Sequence, residues 1–95
     1  MKATAKQEKL ALFFNALAHP RRQIIFQVLR DSGREGMPFH RLKMRTGLSS
    51  PTLSFHLGKM REGFILSRTV KGIESWYALN LAAFALFEPP LPTAR

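Results

Sequence analysis

A three-residue turn does most to fix what this chain can fold into. Gly47-Leu48-Ser49 separates two short segments with helical patterning. The first, about 38–46, carries Phe39, Leu42 and Thr46 on one side and stops at the glycine. The second opens on Ser49-Ser50-Pro51, a serine cap followed by proline in the first turn, and runs over about 50–62 to Gly63. Two short helices joined this tightly make a helix-turn-helix, whose second helix is the element that reads a DNA major groove.

The flanking segments complete a small domain. Residues 5–17 predict a helix with Leu10, Phe13, Phe14 and Leu17 on one stripe and Leu12 on the opposite side. His19-Pro20 breaks and restarts the chain, with His19 as N-cap of a helix over about 20–32. Ile24, Ile25, Val28 and Leu29 cover a broad arc of that helix, Gly33 caps it, and Gly33–Pro38 reads as a loop. After Gly63 the period changes. Phe64–Val70 and Ser75–Leu79, joined by Lys71-Gly72-Ile73-Glu74, predict a β-hairpin. A last short helix, about 80–88, places Leu81, Phe84, Ala85 and Glu88 at helical spacing before Pro89-Pro90. The expected fold is mainly α with a small β-hairpin (α+β), a winged helix-turn-helix in the order α-α-α-α-β-β-α. Residues 1–95 form a single domain without repeat or linker.

The helix over 50–62 separates two kinds of residue. Leu53, Leu57 and Met60 cluster toward the core with His56 beside them, while Pro51, Thr52, Phe55, Gly58 and Lys59 fall opposite and Ser54 at the edge. Serine and threonine hydroxyls can bond base edges or phosphates, and Phe55 can press on a thymine methyl or else be buried against the hairpin. The expected recognition set is Ser49, Ser50, Pro51, Thr52, Ser54, Phe55, His56 and Lys59. Charge agrees with double-stranded DNA as the partner: the formal net charge is +9. From Arg41 to Gly72 there are seven basic residues and one acid, Glu62. His40, Arg41 and Arg45, with Arg68 and Lys71 at the hairpin tip, are the expected phosphate contacts.

Other classes fit poorly. The chain has no cysteine, so disulfides, thiolate metal sites and thiol redox chemistry are absent. It offers no paired carboxylates, Cys/His nucleophile pair or phosphate-cradling glycine loop, and reads as a non-enzyme without a cofactor. The three histidines fall on three different elements: His19 as a cap, His40 at the surface near DNA, His56 flanking the core or bonding phosphate. No metal site is expected from them. The longest apolar runs, such as Leu81–Phe87, are far short of the roughly 20 residues a membrane span needs. Lys2, Lys6 and Lys9 before Leu10–Ala18 mimic a secretion signal, but Glu8 and Asn15 interrupt it. A helix of a cytoplasmic protein is the expectation.

Four strings together resemble a known family. Phe14-Asn15-Ala16-Leu17-Ala18-His19-Pro20-Arg21-Arg22 is similar to the entry segment of ArsR/SmtB-type winged helix-turn-helix repressors. Gly47-Leu48-Ser49-Ser50-Pro51-Thr52-Leu53-Ser54-Phe55-His56-Leu57 resembles their recognition helix. Arg61-Glu62-Gly63-Phe64-Ile65 resembles the boundary into their wing, and Trp76-Tyr77-Ala78-Leu79 its returning strand. The resemblance covers about residues 10–80. It implies a homodimeric bacterial transcription regulator, usually a repressor, whose first and last helices pair across a two-fold axis. Leu10, Leu12 and Phe13 from one helix and Leu81, Phe84 and Phe87 from the other are the implied interface. The residues give their own reason for a dimer, since Leu12, Leu86 and Phe87 are surplus to a one-sided stripe. Two recognition helices would meet a pseudo-palindrome about 34–36 Å apart.

The chain departs from the family's sensing members. The third helix reads Phe39-His40-Arg41-Leu42-Lys43-Met44-Arg45 where a Cys-x-Cys-type motif would stand, and Leu81–Glu88 lacks histidine and aspartate. Lys43 and Thr46 replace small or apolar residues, and the wing is about one residue longer than usual. The effector is left open between a small ligand, a second protein and none. The alternative reading is a winged-helix module that binds RNA or another protein through Phe55 and the wing.

Overall fold

Local capping decides where each helix begins. The computed structural model describes residues 4–80. Helix α1, Ala5–Ala16, starts from a capping box: Thr4 Oγ1 accepts from the Gln7 N–H at 3.1 Å, and the Gln7 side chain accepts from the Thr4 N–H at 2.8 Å. Helix α2, Pro20–Asp31, starts at His19, whose Nδ1 accepts from the Arg21 N–H at 3.1 Å. Helices α3, Phe39–Thr46, and α4, Ser50–Glu62, meet at Gly47, which takes the left-handed conformation (φ 74°) that ends α3 without a Cβ penalty. Ser49 is the N-cap of α4, accepting from the Thr52 N–H at 3.4 Å. The helix-turn-helix is therefore built by the residues that announce it.

Three strands follow the order β1-β3-β2 in one antiparallel sheet. Strand β1 is Met37–Pro38, β2 is Leu66–Lys71 and β3 is Glu74–Leu79. The hairpin turn is the two residues Gly72-Ile73, since Lys71 pairs with Glu74. Strand β1 corrects the expected loop at Gly33–Pro38. Met37 pairs with Tyr77 and Pro38 with Trp76, so the segment before α3 is a third, edge strand. The element order over the described residues is α-α-β-α-α-β-β. The helix expected over 80–88, with Leu81, Phe84 and Phe87, lies outside the described residues.

The core gathers where α2, α3, α4 and the sheet converge. Ile25, Leu29, Leu42, Leu53, Leu57, Met60 and Ile65 are the large side chains with essentially no exposure. Met37, Leu66 and Tyr77 extend the core onto the sheet. The α1 stripe needs correcting. Phe13 and Ala16 are buried, Leu10 and Leu17 are half-buried, and Phe14 is 62% exposed. Phe13, expected at a dimer interface, thus belongs to the core of its own chain.

The reason lies at the end of α4. Gly63 packs under α1 so closely that an added Cβ would stand 2.5 Å from both the Ala16 Cβ and the Leu12 carbonyl oxygen. Small residues, rather than a second large aromatic, make that contact. The helix then ends one residue late: the Phe64 N–H bonds the Arg61 carbonyl and the Ile65 N–H the Met60 carbonyl, both at 3.0 Å. This is a Schellman closure, and it puts Phe64, not the glycine, at positive φ (64°).

Candidate nucleic-acid interface

Burial of Leu53, Leu57 and Met60 fixes the rotation of α4 and so decides what it shows to solvent. Pro51, Ser54 and Phe55 are exposed, and Ser50, Thr52, Gly58 and Lys59 are partly exposed. Phe55 is 57% exposed, its ring edge-on to His56 at 5.4 Å and 5.7 Å from the Lys59 ammonium. It is not covered by the wing, leaving an aromatic face to solvent beside a cation. Lys59 also reaches Glu62 at 3.6 Å, one turn along the same surface. Ser49 is spent on capping: besides accepting from the Thr52 N–H it donates to Thr52 Oγ1 at 2.9 Å. That leaves the Thr52 hydroxyl proton free for an outside acceptor.

His56, expected to flank the core or bond phosphate, lies on the core side. It is only 4% exposed and lies on the inner side of α4, where its Nδ1 accepts from Arg22 Nε at 3.1 Å. Burial first, then the nearby His19, Arg22 and Arg21 charges, hold its pKa below the ordinary 6.5. His56 is therefore a neutral acceptor for a buried arginine. Arg22, itself only 8% exposed, gives its second bond from Nη1 to the Asn15 carbonyl at 2.9 Å. Through it, the end of α1, the start of α2 and the middle of α4 are pinned to one guanidinium. Sequence reasoning missed this residue, because a lone arginine in a basic chain carries no local sign of burial. The histidines were also expected apart, yet the His19 and His56 rings sit 4.6 Å from centroid to centroid.

The phosphate set divides. Arg41 and Arg45 are exposed on α3. His40 is exposed too, but its Nδ1 sits 2.9 Å from the Glu74 carboxylate, tying α3 to the wing. Arg68 stands inside β2 opposite Tyr77, not at the tip, and its Nε donates to Ser75 Oγ at 3.0 Å. Lys71 ends β2 with its ammonium 4.0 Å from the centre of the Trp76 ring. Both cations stay exposed but are steadied against β3. The tip itself is Gly72 and a fully exposed Ile73. Of the expected interface residues, Leu12 is 44% exposed and Leu10 half-buried.

Among the described residues no three of His, Cys, Asp or Glu come together as metal ligands, and no helix is long and apolar enough to cross a membrane.

This geometry is shared with solved structures. A Mycobacterium bovis domain, Mb0332, described as a homodimeric winged helix-turn-helix DNA-binding domain of a possible ArsR-family regulator, superimposes with a TM-score of 0.76. It shares 23% identity, over 87% of this chain and 75% of that one. The transcriptional repressor BigR from Xylella fastidiosa matches at 23% identity and a TM-score of 0.65, over 86% and 89% of the two chains. An E. coli protein described as a predicted DNA-binding transcriptional regulator is 31% identical over 86% of this chain and 85% of its own, with a TM-score of 0.67. No family model and no curated protein sequence matches the chain. The winged fold is the one seen in structures described as ArsR-family regulators, and the 31% identity over 86% of the chain gives the family: the chain belongs to the winged helix-turn-helix DNA-binding transcriptional regulators.

Proposed function

We propose that the protein is a sequence-specific DNA-binding repressor that acts as a homodimer on a pseudo-palindromic operator, without a thiolate, metal or redox switch. The observation that carries this reading is the outer face of α4, where Pro51, Ser54 and the 57%-exposed Phe55 are free of core packing. Hydroxyls and an aromatic ring on an exposed helix suit base edges and thymine methyls. Ser49 and Ser50 at the helix start and Lys59 farther along it flank that face. Arg41 and Arg45 on α3 and Arg68 and Lys71 on the wing supply cations on both sides for the phosphate backbone, with the His40 ring beside them on α3. The surplus apolar residues of α1, Leu12 above all, support the dimer.

Fluorescence anisotropy on a duplex from the gene's own upstream region, against a scrambled duplex, tests the reading. The expected result is a preference of about a thousandfold with two protomers per site. Neutralising about six phosphates gives a log K against log salt slope of roughly −5. EDTA leaves binding unchanged if no metal switch exists. Equal, steeply salt-dependent binding to both duplexes would overturn sequence-specific readout and favour an RNA or protein partner.

A further inference from the structure

Gly58 stands inside α4, where a glycine weakens a helix relative to alanine. The chain's other glycines answer to its own fold. Gly33, Gly36, Gly47 and Gly72 take positive φ, and Gly63 packs under α1 with no room for a Cβ. Gly58 has neither reason: its φ is not positive, and a Cβ built on it would meet nothing within 4 Å. An alanine would fit there and would strengthen the helix. Whatever uses the missing side chain therefore comes from beyond the described residues.

The surroundings say what that is. Gly58, Arg61, Glu62, Leu66, Ser67 and Arg68 line a groove of about 640 Å³ between α4 and strand β2. Arg61 on the helix and Arg68 on the strand are both exposed along it. Neither meets a carboxylate among the described residues; Arg68 Nε donates to the Ser75 hydroxyl instead. The one acid of the groove, Glu62, lies 3.6 Å from the Lys59 ammonium. Two uncompensated cations thus flank a stretch of bare helix backbone. Ser54 lies one turn before Gly58 on the same face of α4 and is exposed, so the notch continues the face that carries Ser54 and Phe55.

We infer that Gly58 is a point of close approach for DNA: the sugar–phosphate backbone of one strand runs through this groove against α4, held between Arg61 and Arg68. An anionic ridge has the charge that two free arginines call for, and only a residue without a side chain lets it reach the helix backbone. The inference rests on the DNA-binding reading and deepens it. The missing Cβ sets how closely α4 sits, and at that depth Ser54 and Phe55 come within reach of base edges.

The test combines thermal melting with anisotropy across salt, on the specific and scrambled duplexes. The proteins are the wild type, Gly58→Ala, Gly58→Leu and Arg61→Gln. Gly58→Ala is expected to melt about 4 °C higher. It nevertheless binds the specific duplex about fivefold more weakly, and Gly58→Leu, with its fold checked by the melt, about a hundredfold. On the scrambled duplex both stay within about twofold of the wild type, because loose phosphate binding does not need that depth. Arg61→Gln flattens the salt slope by about one. A stabilised Gly58→Ala with wild-type affinity overturns the inference, and so does an Arg61→Gln with the wild-type slope. A lowered melting point for Gly58→Ala also overturns it, since the chain itself would then fill the space. If the wild type binds both duplexes alike, sequence-specific reading fails on its own. The contact then stands if Gly58→Leu weakens both and falls if it weakens neither. A wild type that binds neither duplex sinks both.

Discussion

At the scale of single residues, the guanidinium of Arg22 organises the region behind the recognition helix. It is a buried cation whose partners are a neutral ring nitrogen and a backbone carbonyl, so its value to the fold is directional bonding, not charge pairing. Arg22→Leu leaves the His56 Nδ1 without its donor and takes one of two donors from the Asn15 carbonyl, which keeps the Ala18 N–H. We expect a loss of about 2–3 kcal/mol in denaturant unfolding. Unchanged stability would mean that water replaces the arginine. His56 predicts a pH dependence. Its folded pKa lies below the ordinary 6.5, so between the two values the unfolded chain binds more protons than the native one. The contribution is fully present above pH 6.5 and is lost as pH falls through that window. His56→Gln, which keeps an acceptor for Arg22, should reduce the drop in stability between pH 7.5 and 5.5. On the outer face, Thr52→Ala, Ser54→Ala and Phe55→Ala should each cost more on the specific duplex than on the scrambled one. Equal losses would remove direct base reading from that face.

At the scale of elements, two contacts differ in how visible they were. The helix-turn-helix could be read from residues 38–63 because its signals are local: Gly47 in a left-handed cap, Ser49 accepting from Thr52, Pro51 in the first turn. Strand β1 could not, because two residues have no period and their partners Tyr77 and Trp76 lie far along the chain. The α1 stripe failed for a related reason. Spacing put Phe14 on the core side, but with Gly63 approaching closely Phe13 and Ala16 are the residues fully buried and Phe14 is left outside. Gly63→Ala should therefore destabilise the domain by about 1–3 kcal/mol, since the Leu12 carbonyl it would meet is backbone and cannot swing aside. A thermal melt unchanged by that substitution would show that α1 can lift away without cost. For the candidate site, the outward set of Pro51, Thr52, Ser54 and Phe55 was legible from the helical wheel. The His19–His56–Arg22 cluster was not: His19 as a cap and His56 beside the core could be read singly, but their meeting across two elements on a buried arginine leaves no local sign.

At the scale of the whole molecule, a formal charge of +9 and exposed apolar residues on α1 and α2 make opposite demands. Like charge keeps copies apart, while Leu12, Phe14 and Ile24 (44%, 62% and 48% exposed) favour contact. DNA would resolve the conflict by neutralising the charge. Leu12→Asp should shift sedimentation from dimer to monomer without unfolding the domain, and a variant that still sediments as a dimer would place the interface elsewhere. Such a chain must also associate through one surface only. Its sheet ends, on the β1 side, in a strand of two residues, the second of which is Pro38. Proline offers no amide hydrogen, and the backbone turns into α3 at the next residue. An incoming strand therefore finds no ladder to extend, so crowding at high concentration cannot zip copies together along this edge and growth of a fibre from it has no template.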